Sequence, residues 1–365
     1  MLRLERRERT PGYYYFLVPT LSILIALAVG ALFLLINGFD PALSYIEMGK
    51  ASFATLYGIE DSLVSATPLV LTGLAAALAF RFKLYNIGAE GQLIAGGISA
   101  AAAALAVGSL LPGWLTIAVV LLAGAAGGAA WIAVPAFARA RLGTSEIITT
   151  LLLNYVAVLL ARYLIFGSSS ALRDPTSTNF PQGRELAEAA FFPQLGDSRI
   201  HLGLAVGVAC AFLVYALLRW TRTGFEARVV GDSPAAARYA GINVARVTVV
   251  LLLISGAIAG LAGASEVAGR AHRLDPTGLA VGFGYTGIIV AALARYSPLA
   301  VLPVAFLMGA LANSASSLQT ISGAALPSAI AIVLQGAILI SVLGSEVLLS
   351  YRIVRRSGAV AEATR

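Results

Sequence analysis

The sequence predicts an all-α polytopic membrane protein with about ten transmembrane helices. Of its 365 residues, 59% are hydrophobic and 12% are charged, and this charged fraction is about half of the usual value for soluble domains. The apolar runs are long enough to cross a bilayer as helices, and they lack the apolar–polar alternation of barrel strands. The 37 glycines, together with many alanines, suit the close helix–helix packing of membrane bundles.

The first half of the chain contains five predicted spans. Residues 1–12 form a basic, polar segment, and residues 13–59 hold the first helix and an external polar segment. The apolar run at 13–36 is longer than the roughly 7–15 residues of a signal-peptide core, so we predict an uncleaved helix. The next four spans are predicted at about 62–80, 86–107, 114–138 and 145–167.

The second half begins with a polar external loop at 168–198. Residues 199–246 are predicted to hold the sixth helix, at about 200–218, and a strongly basic cytoplasmic loop. Four more spans are predicted at about 247–267, 281–294, 298–314 and 325–345, before a cytoplasmic tail at 346–365. The whole chain, 1–365, is predicted to be one transmembrane domain.

The distribution of positive charge predicts the orientation. Counted over alternate connections, one side carries 18 Lys and Arg residues and the other carries 6, while Arg162 lies within the fifth span. Because cytoplasmic loops of membrane proteins are enriched in Lys and Arg, both termini are predicted to be cytoplasmic. This asymmetry also accounts for the net charge of +7 without nucleic acid as a partner.

A weak internal similarity predicts an inverted repeat. Asn86-Ile87-Gly88 and Gly282-Phe283-Gly284 each precede a span of small apolar residues and then a connection that contains proline. The first repeat would comprise helices 2–5, at 60–167, and the second would comprise helices 7–10, at 247–345. Helix 3 would run outward and helix 8 inward, as in transporters whose path lies between inverted repeats.

Polar residues at the start of the third span are the first candidates for a transport path. Asn86, Glu90 and Gln92 stand where an apolar helix should begin, and a carboxylate at a helix centre costs roughly 2.5–3.5 kcal/mol on insertion scales. We expect this stretch to begin a broken helix that lines a path. The alternative is structural: Asn86 would cap the helix and Glu90 would favour its positive end. The other candidate path residues are Asn154, Asn313 and Gln335.

A short cytoplasmic helix is predicted within the basic loop. Ser233 followed by Pro234 is typical of a helix start, and Gly241 is a good stop. The segment could dock a cytoplasmic partner, or it could rest on anionic lipid. Its residues are Ser233, Pro234, Ala235, Ala236, Ala237, Arg238, Tyr239, Ala240 and Gly241.

Motifs for enzymatic chemistry are missing from the sequence. A P-loop needs G-x-x-x-x-G-K-[ST], and neither Lys50 nor Lys83 stands in that context. Two histidines, His201 and His272, and one cysteine do not predict a metal site. The chain is therefore predicted to be a non-enzyme without a cofactor of its own, and power for transport must come from a partner or from an ion gradient.

Four segments carry a resemblance to a known family. The chain resembles permease subunits of ABC importers in the superfamily of branched-chain amino acid and simple-sugar permeases, and it is most similar to the longer subunit of nucleoside-type permeases. The resemblance covers roughly residues 60–345. The segments that carry it are Asn86–Gln92, Glu146–Tyr155, Gly231–Gly241 and Gly282–Ala292.

The resemblance implies a nucleoside permease of a prokaryotic plasma (inner) membrane that works by alternating access. It implies a second permease subunit, identical or different, and a cytoplasmic ABC ATPase that binds ATP and Mg²⁺ and docks on the helix at 233–241. An external binding protein or lipoprotein would deliver the cargo. Simple sugars or branched-chain amino acids are alternative cargoes, and an ion-coupled secondary transporter or a non-transporting integral protein are alternatives of a different class.

Overall fold

The structure is a computed structural model that describes residues 2–6, 14–167, 169–177, 179–321 and 351–355, with six further positions between 333 and 341. These residues belong to two compact units. One comprises 1–47 with 318–365, and the other comprises 48–317.

The first unit contains the predicted first helix, which is confirmed as α1 (Tyr14–Ile36). The Tyr45 hydroxyl, in α2 (Pro41–Phe53), donates a hydrogen bond of 2.7 Å to the Leu27 carbonyl oxygen. Two short strands, β1 (Leu2–Arg6) and β2 (Tyr351–Arg355), pair antiparallel with Leu2 opposite Arg355. This strand pair lies in the predicted cytoplasmic segments at 1–12 and 346–365 and was not predicted.

The second unit consists of helices, most of them long and apolar. Two of these helices, α6 and α10, continue as one π-helical turn each, at Tyr163–Gly167 and Val267–Ala271. The helices in chain order are α3 (Leu56–Phe80), α4 (Ala89–Val107), α5 (Gly113–Leu142), α6 (Glu146–Arg162), α7 (Leu202–Trp220), α8 (Arg222–Asp232), α9 (Pro234–Tyr239), α10 (Val244–Glu266), α11 (Pro276–Leu279), α12 (Phe283–Leu293) and α13 (Pro298–Ile321).

Within the described residues, seven helices are long and apolar enough to cross a membrane, and an eighth span is possible where Leu24–Ile36 and Pro41–Phe53 form a bent pair. Pro298–Ser314 is a shorter apolar helix. The predicted tenth span at 325–345 lies outside the described residues except for a few positions, and the candidate Gln335 lies outside them too. The helical membrane class is therefore confirmed, whereas the number ten stays a prediction.

Glycine residues allow the backbones of α4, α5 and α10 to pack at very short distances. A Cβ atom added at Gly260 in α10 would lie 2.1 Å from the carbonyl oxygen of Gly124 in α5. One added at Gly96 in α4 would lie 2.4 Å from the Cα atom of Gly260. Gly124 with Gly128, and Gly256 with Gly260, have the four-residue spacing that lets membrane helices approach backbone to backbone. These three helices form a closely packed core that positions the polar residues described next.

The external loop predicted at 168–198 is folded against the end of α10. The backbone N–H of Leu186 donates to the His272 carbonyl, and that of Phe192 donates to the Ala268 carbonyl, both at 2.9 Å. Leu186, Ala190 and Phe192 are buried. The loop therefore presents a defined surface on this side of the unit.

Candidate functional site

Two buried amide side chains, Asn86 before α4 and Gln92 in the first turn of α4, are bonded to each other. Asn86 Nδ2 donates to Gln92 Oε1 at 2.9 Å, and Gln92 Nε2 donates back to Asn86 Oδ1 at 2.8 Å. Asn86 Nδ2 also donates to the Ser255 hydroxyl, which donates in turn to the Ala75 carbonyl. Asn86 and Gln92 are both buried, so their amides join α4 to α10 and α3 in this structure.

Glu90 binds the start of another helix rather than the start of its own. Its carboxylate, only 3% exposed, accepts backbone N–H bonds from Gly282 at 2.8 Å and Gly284 at 2.6 Å. These N–H groups lie at the first turn of α12, where the helix dipole favours a negative charge. A Cβ atom at Gly284 would lie 2.2 Å from the Glu90 backbone nitrogen, so only glycine allows this approach.

The broken helix lies at this contact and not at residue 86, where the sequence analysis expected it. Helix α4 runs without interruption from Ala89, so that expectation is wrong for this segment. Instead, α11 ends at Leu279 and α12 begins at Phe283, after Gly282 in a left-handed conformation with φ of +93°. Discontinuous helices of this kind expose backbone groups that a membrane protein must satisfy internally. Glu90 satisfies two of them.

Asn154 completes this group of side chains. Its Oδ1 accepts from the Gly91 N–H at 2.9 Å, and its Nδ2 donates to the Ile87 carbonyl at 2.9 Å and to the Tyr285 hydroxyl at 3.1 Å. We call Asn86, Glu90, Gln92, Asn154, Ser255 and Tyr285 the polar cluster. All of its predicted members are buried and make hydrogen bonds within the protein. Their contact with a substrate stays a prediction.

Glu146 has a partner that the sequence analysis did not identify. It lies in the first turn of α6, where the helix dipole favours a negative charge, and its Oε2 is 3.2 Å from the Nε atom of Arg139. Its Oε1 accepts from the Tyr85 N–H at 3.3 Å. The carboxylate therefore ties the end of α5 and the connection before α4 to the start of α6.

Asn313, the next candidate, is not part of the polar cluster. It lines a separate cavity of about 520 Å³ formed by the ends of α3, α7 and α10, the external loop and α13. Its Nδ2 donates to the Gly58 carbonyl at 3.3 Å and to the Ser62 hydroxyl at 3.4 Å. We call this space the outer cavity; it is also lined by Tyr57, Asp61, Ser65, Arg199 and His201.

His201 is a feature of the outer cavity that the sequence did not reveal. The residue is 2% exposed and caps α7, because its Nδ1 accepts from the Gly203 N–H at 3.1 Å. Its Nε2 has no hydrogen-bond partner among the described residues. Burial, followed by the charges of Arg270 and His272, lowers the pKa of His201 to about 4, so the ring is neutral at pH 7. An isolated histidine between an isoleucine and a leucine gave no signal for this position.

The predicted cytoplasmic helix is present at the expected place. Ser233 accepts a hydrogen bond from the Ala236 N–H at 3.2 Å, Pro234 begins α9, and Gly241 has a φ of +78°. Ala237 is fully buried, whereas Tyr239 is 98% exposed. An additional amphipathic helix, α8, precedes it and was not predicted. Apart from Ala237, most side chains of the segment Ser233–Gly241 are exposed to solvent and available for contact.

The chain is similar to known transport permeases over most of its length. The model of the family described as branched-chain amino acid transport system / permease component matches residues 58–343. A glucose ABC transporter permease protein of Haloferax volcanii is 35% identical, with 96% of this chain and 93% of that protein covered. A guanosine ABC transporter permease protein of Bacillus subtilis is also 35% identical, with 85% and 88% covered. A nucleoside ABC transporter permease protein of Lactococcus lactis is 31% identical, with 82% and 83% covered.

Proposed function

The chain belongs to the family of permease components of branched-chain amino acid transport systems, and we propose that it forms the membrane path of an ATP-driven importer for nucleosides. The observation that carries this proposal is the similarity to guanosine and nucleoside permease proteins at 31–35% identity over more than four fifths of the chain. A simple sugar is the second candidate cargo, because a glucose permease protein is equally similar over 96% of the chain.

We further propose ten spans, with both termini in the cytoplasm. Seven long apolar helices, the bent pair at 24–53 and the shorter helix at 298–314 account for nine, and the apolar run at 325–345 would be the tenth. An inverted repeat of helices 2–5 and 7–10 is supported by the meeting of α4 and α12 at their N-terminal ends. In such a repeat, equivalent helices meet near the middle of the membrane, where substrates of transporters bind.

The proposed complex contains subunits that supply power and cargo. Because the sequence has no P-loop, a cytoplasmic ABC ATPase would bind ATP and Mg²⁺ and would act on the segment Ser233–Gly241. A second permease subunit, identical or different, would complete the path. An external binding protein or lipoprotein would deliver cargo to the surface formed by the loop at 168–198 and by residues 37–61. The proposed location is the plasma (inner) membrane of a prokaryote.

Alternating access gives the polar cluster a role in the path. Asn86, Glu90, Gln92 and Asn154 lie where α4, α6 and α12 meet, and Asn313 lies toward the outer cavity. Amide groups of this kind suit the hydroxyls of a ribose, whereas the base needs apolar or aromatic contacts. We propose that cargo passes from the outer cavity toward the cluster when the helices separate.

Docking of the ATPase can be tested on the exposed side of α9. Tyrosine is among the residue types that most often dominate interfaces, so we expect Tyr239→Ala to weaken ATPase binding by roughly 10–30-fold. Binding of the purified ATPase to the permease in nanodiscs measures this. Phe180→Ala is the matched control, since Phe180 is an aromatic residue that is 84% exposed in the external loop. Unchanged affinity with Tyr239→Ala would argue against docking at this helix.

Transport itself can be tested by uptake of labelled adenosine in cells that carry or lack this chain together with its companion subunits. Unlabelled nucleosides, glucose, ribose and leucine compete in separate arms, and ATP depletion and an uncoupler are applied separately. We expect uptake that depends on the chain, that nucleosides inhibit and that ATP depletion stops. Inhibition by glucose alone would support the second cargo, and sensitivity to the uncoupler at preserved ATP would contradict an ATP-driven importer.

A further inference from the structure

The outer cavity has the size of a binding site for a small molecule. Its volume of about 520 Å³ lies within the range of roughly 300–1,000 Å³ that is usual for ligand pockets. It is lined by the starts of α3 and α7, the end of α10, the external loop and α13. According to the charge distribution of the sequence, these elements face the outside of the cell. A molecule that arrives from outside would meet this cavity before the polar cluster.

His201 lies in the wall of this cavity and carries a buried hydrogen-bond donor. Because its Nδ1 accepts a bond from the Gly203 N–H, the proton of the neutral ring must be on Nε2. Nε2 is buried and has no partner among the described residues, and a buried donor left unpaired costs about 1–3 kcal/mol. A ligand oxygen that reaches Nε2 through a small shift of the cavity wall would remove that cost. The sequence places the histidine at the N-cap of α7, so the ring is held by the helix that it caps.

The charges of the cavity are paired. The Nη1 atom of Arg199 is 2.8 Å from the Oδ1 atom of Asp61, and its guanidinium lies 4.8 Å from the centre of the Tyr57 ring. Arg270 pairs with Glu266 at 3.5 Å. Burial lowers the pKa of His272, so this second histidine also favours the neutral form. A charged ligand would have to compete with these pairs, whereas a neutral ligand with hydroxyl groups would leave them intact.

We propose that the outer cavity is a binding site for a neutral sugar ring, either free or as part of a nucleoside, and that His201 Nε2 donates a hydrogen bond to one of its oxygens. Ser65 in α3 and Asn313 in α13 also line the cavity, and the Asn313 amide is held by hydrogen bonds to Gly58 and Ser62. This inference rests on the proposed import function and adds a first site for the cargo. The same lining disfavours an amino acid, because its ammonium and carboxylate groups would have to compete with the ion pairs of the cavity.

Replacing His201 by asparagine or by glutamine tests its role as a hydrogen-bond donor separately from its role as a helix cap. In His201→Asn, the short side chain can still accept the Gly203 N–H, because Asn is a favourable cap, but it cannot reach the position of Nε2. In His201→Gln, the longer side chain can place a donor near that position. Glu188→Gln is the control, since Glu188 is exposed in the external loop and does not line the cavity.

The experiment measures binding of labelled adenosine to the complex of permease and ATPase in nanodiscs. The external binding subunit is left out because it would hold the ligand itself, and uptake in cells with all subunits is measured in parallel. We expect His201→Asn to weaken binding about 3–10-fold, as the loss of one hydrogen bond implies, and His201→Gln and the control to stay within about twofold. Competition by ribose and glucose would identify a site for free sugar, and competition by adenosine alone would identify a site for nucleosides.

Four results would overturn the inference. Three concern the variants and competitors: unchanged affinity in His201→Asn, equal loss in both histidine variants, and displacement by leucine as strong as displacement by adenosine. The fourth is a wild-type complex that binds no sugar or nucleoside while cells import them. Absence of import in the cells would refute the proposed function instead, so the two failures can be told apart.

Discussion

Glu90→Gln is the substitution that tests how the broken helix is held. The glutamate accepts the N–H groups of Gly282 and Gly284 through different oxygens, at 2.8 and 2.6 Å. Glutamine has nearly the same shape but offers one oxygen and one NH₂ group. One of the two buried N–H groups would therefore face another donor, and the favourable interaction of the charge with the start of α12 would be lost.

The magnitude follows from these two contacts. A hydrogen bond to a charged group contributes about 1.5–3 kcal/mol, and an unpaired buried N–H costs about 1–3 kcal/mol. Because the two effects overlap, we expect a loss of about 2–4 kcal/mol in the free energy of unfolding. At about 2–4 °C for each kcal/mol, the unfolding temperature should fall by about 4–16 °C.

The assay is thermal unfolding of the purified permease in detergent, together with hydrogen exchange of the amides at 282–286. Glu146→Gln is the matched control. Glu146 is also a buried carboxylate in a first helical turn, but its partner Arg139 is 41% exposed, so water can replace the ion pair. We expect a smaller change for the control. Wild-type stability and unchanged amide protection in Glu90→Gln would refute the role of Glu90 as the anchor of α12.

Two further predictions concern packing and pH. Gly260→Ala should destabilise the permease in thermal unfolding, because its Cβ would lie 2.1 Å from the Gly124 carbonyl oxygen, whereas Gly49→Ala, with open space around it, should not. Stability should decrease as the pH falls from about 6.5 toward 4, since the lowered pKa of His201 means that the unfolded chain binds a proton that the folded chain excludes. His201→Asn should flatten that part of the stability curve, and an identical slope in both proteins would contradict the assignment.

The sequence predicted the elements better than their contacts. Long apolar runs predicted α3 to α7 and α10 within a few residues, because a bilayer requires about 20 apolar residues for a span and leaves few alternatives. The Ser-Pro start and the Gly stop predicted α9 in the same way. The span predicted at 281–294 agrees with α12, whereas the short helix α11 at Pro276–Leu279 was not predicted, since four residues carry no periodic signal.

The partners of the polar residues could not be predicted because they come from distant parts of the chain. Asn86 and Glu90 were correctly expected at the start of α4, but Ser255 and Gly284 lie 169 and 194 residues away along the sequence. The helix dipole does explain the position of Glu90, yet the dipole is that of α12. Local rules specify that a carboxylate should meet a helix start, and only packing determines which helix start is close.

The contrast between the two groups of polar residues bears on how cargo could move. In the polar cluster, Asn86, Gln92 and Asn154 are bonded to one another, to the backbone or to the hydroxyls of Ser255 and Tyr285, so opening this region breaks several buried hydrogen bonds. In the outer cavity, the Nε2 donor of His201 has no bond to lose among the residues that the structure describes. Cargo can therefore bind first where binding removes an unpaired group. Separation of α4 from α12 needs either an outside source of energy, such as an ATPase, or a ligand whose own hydroxyls and amides replace the bonds that are broken.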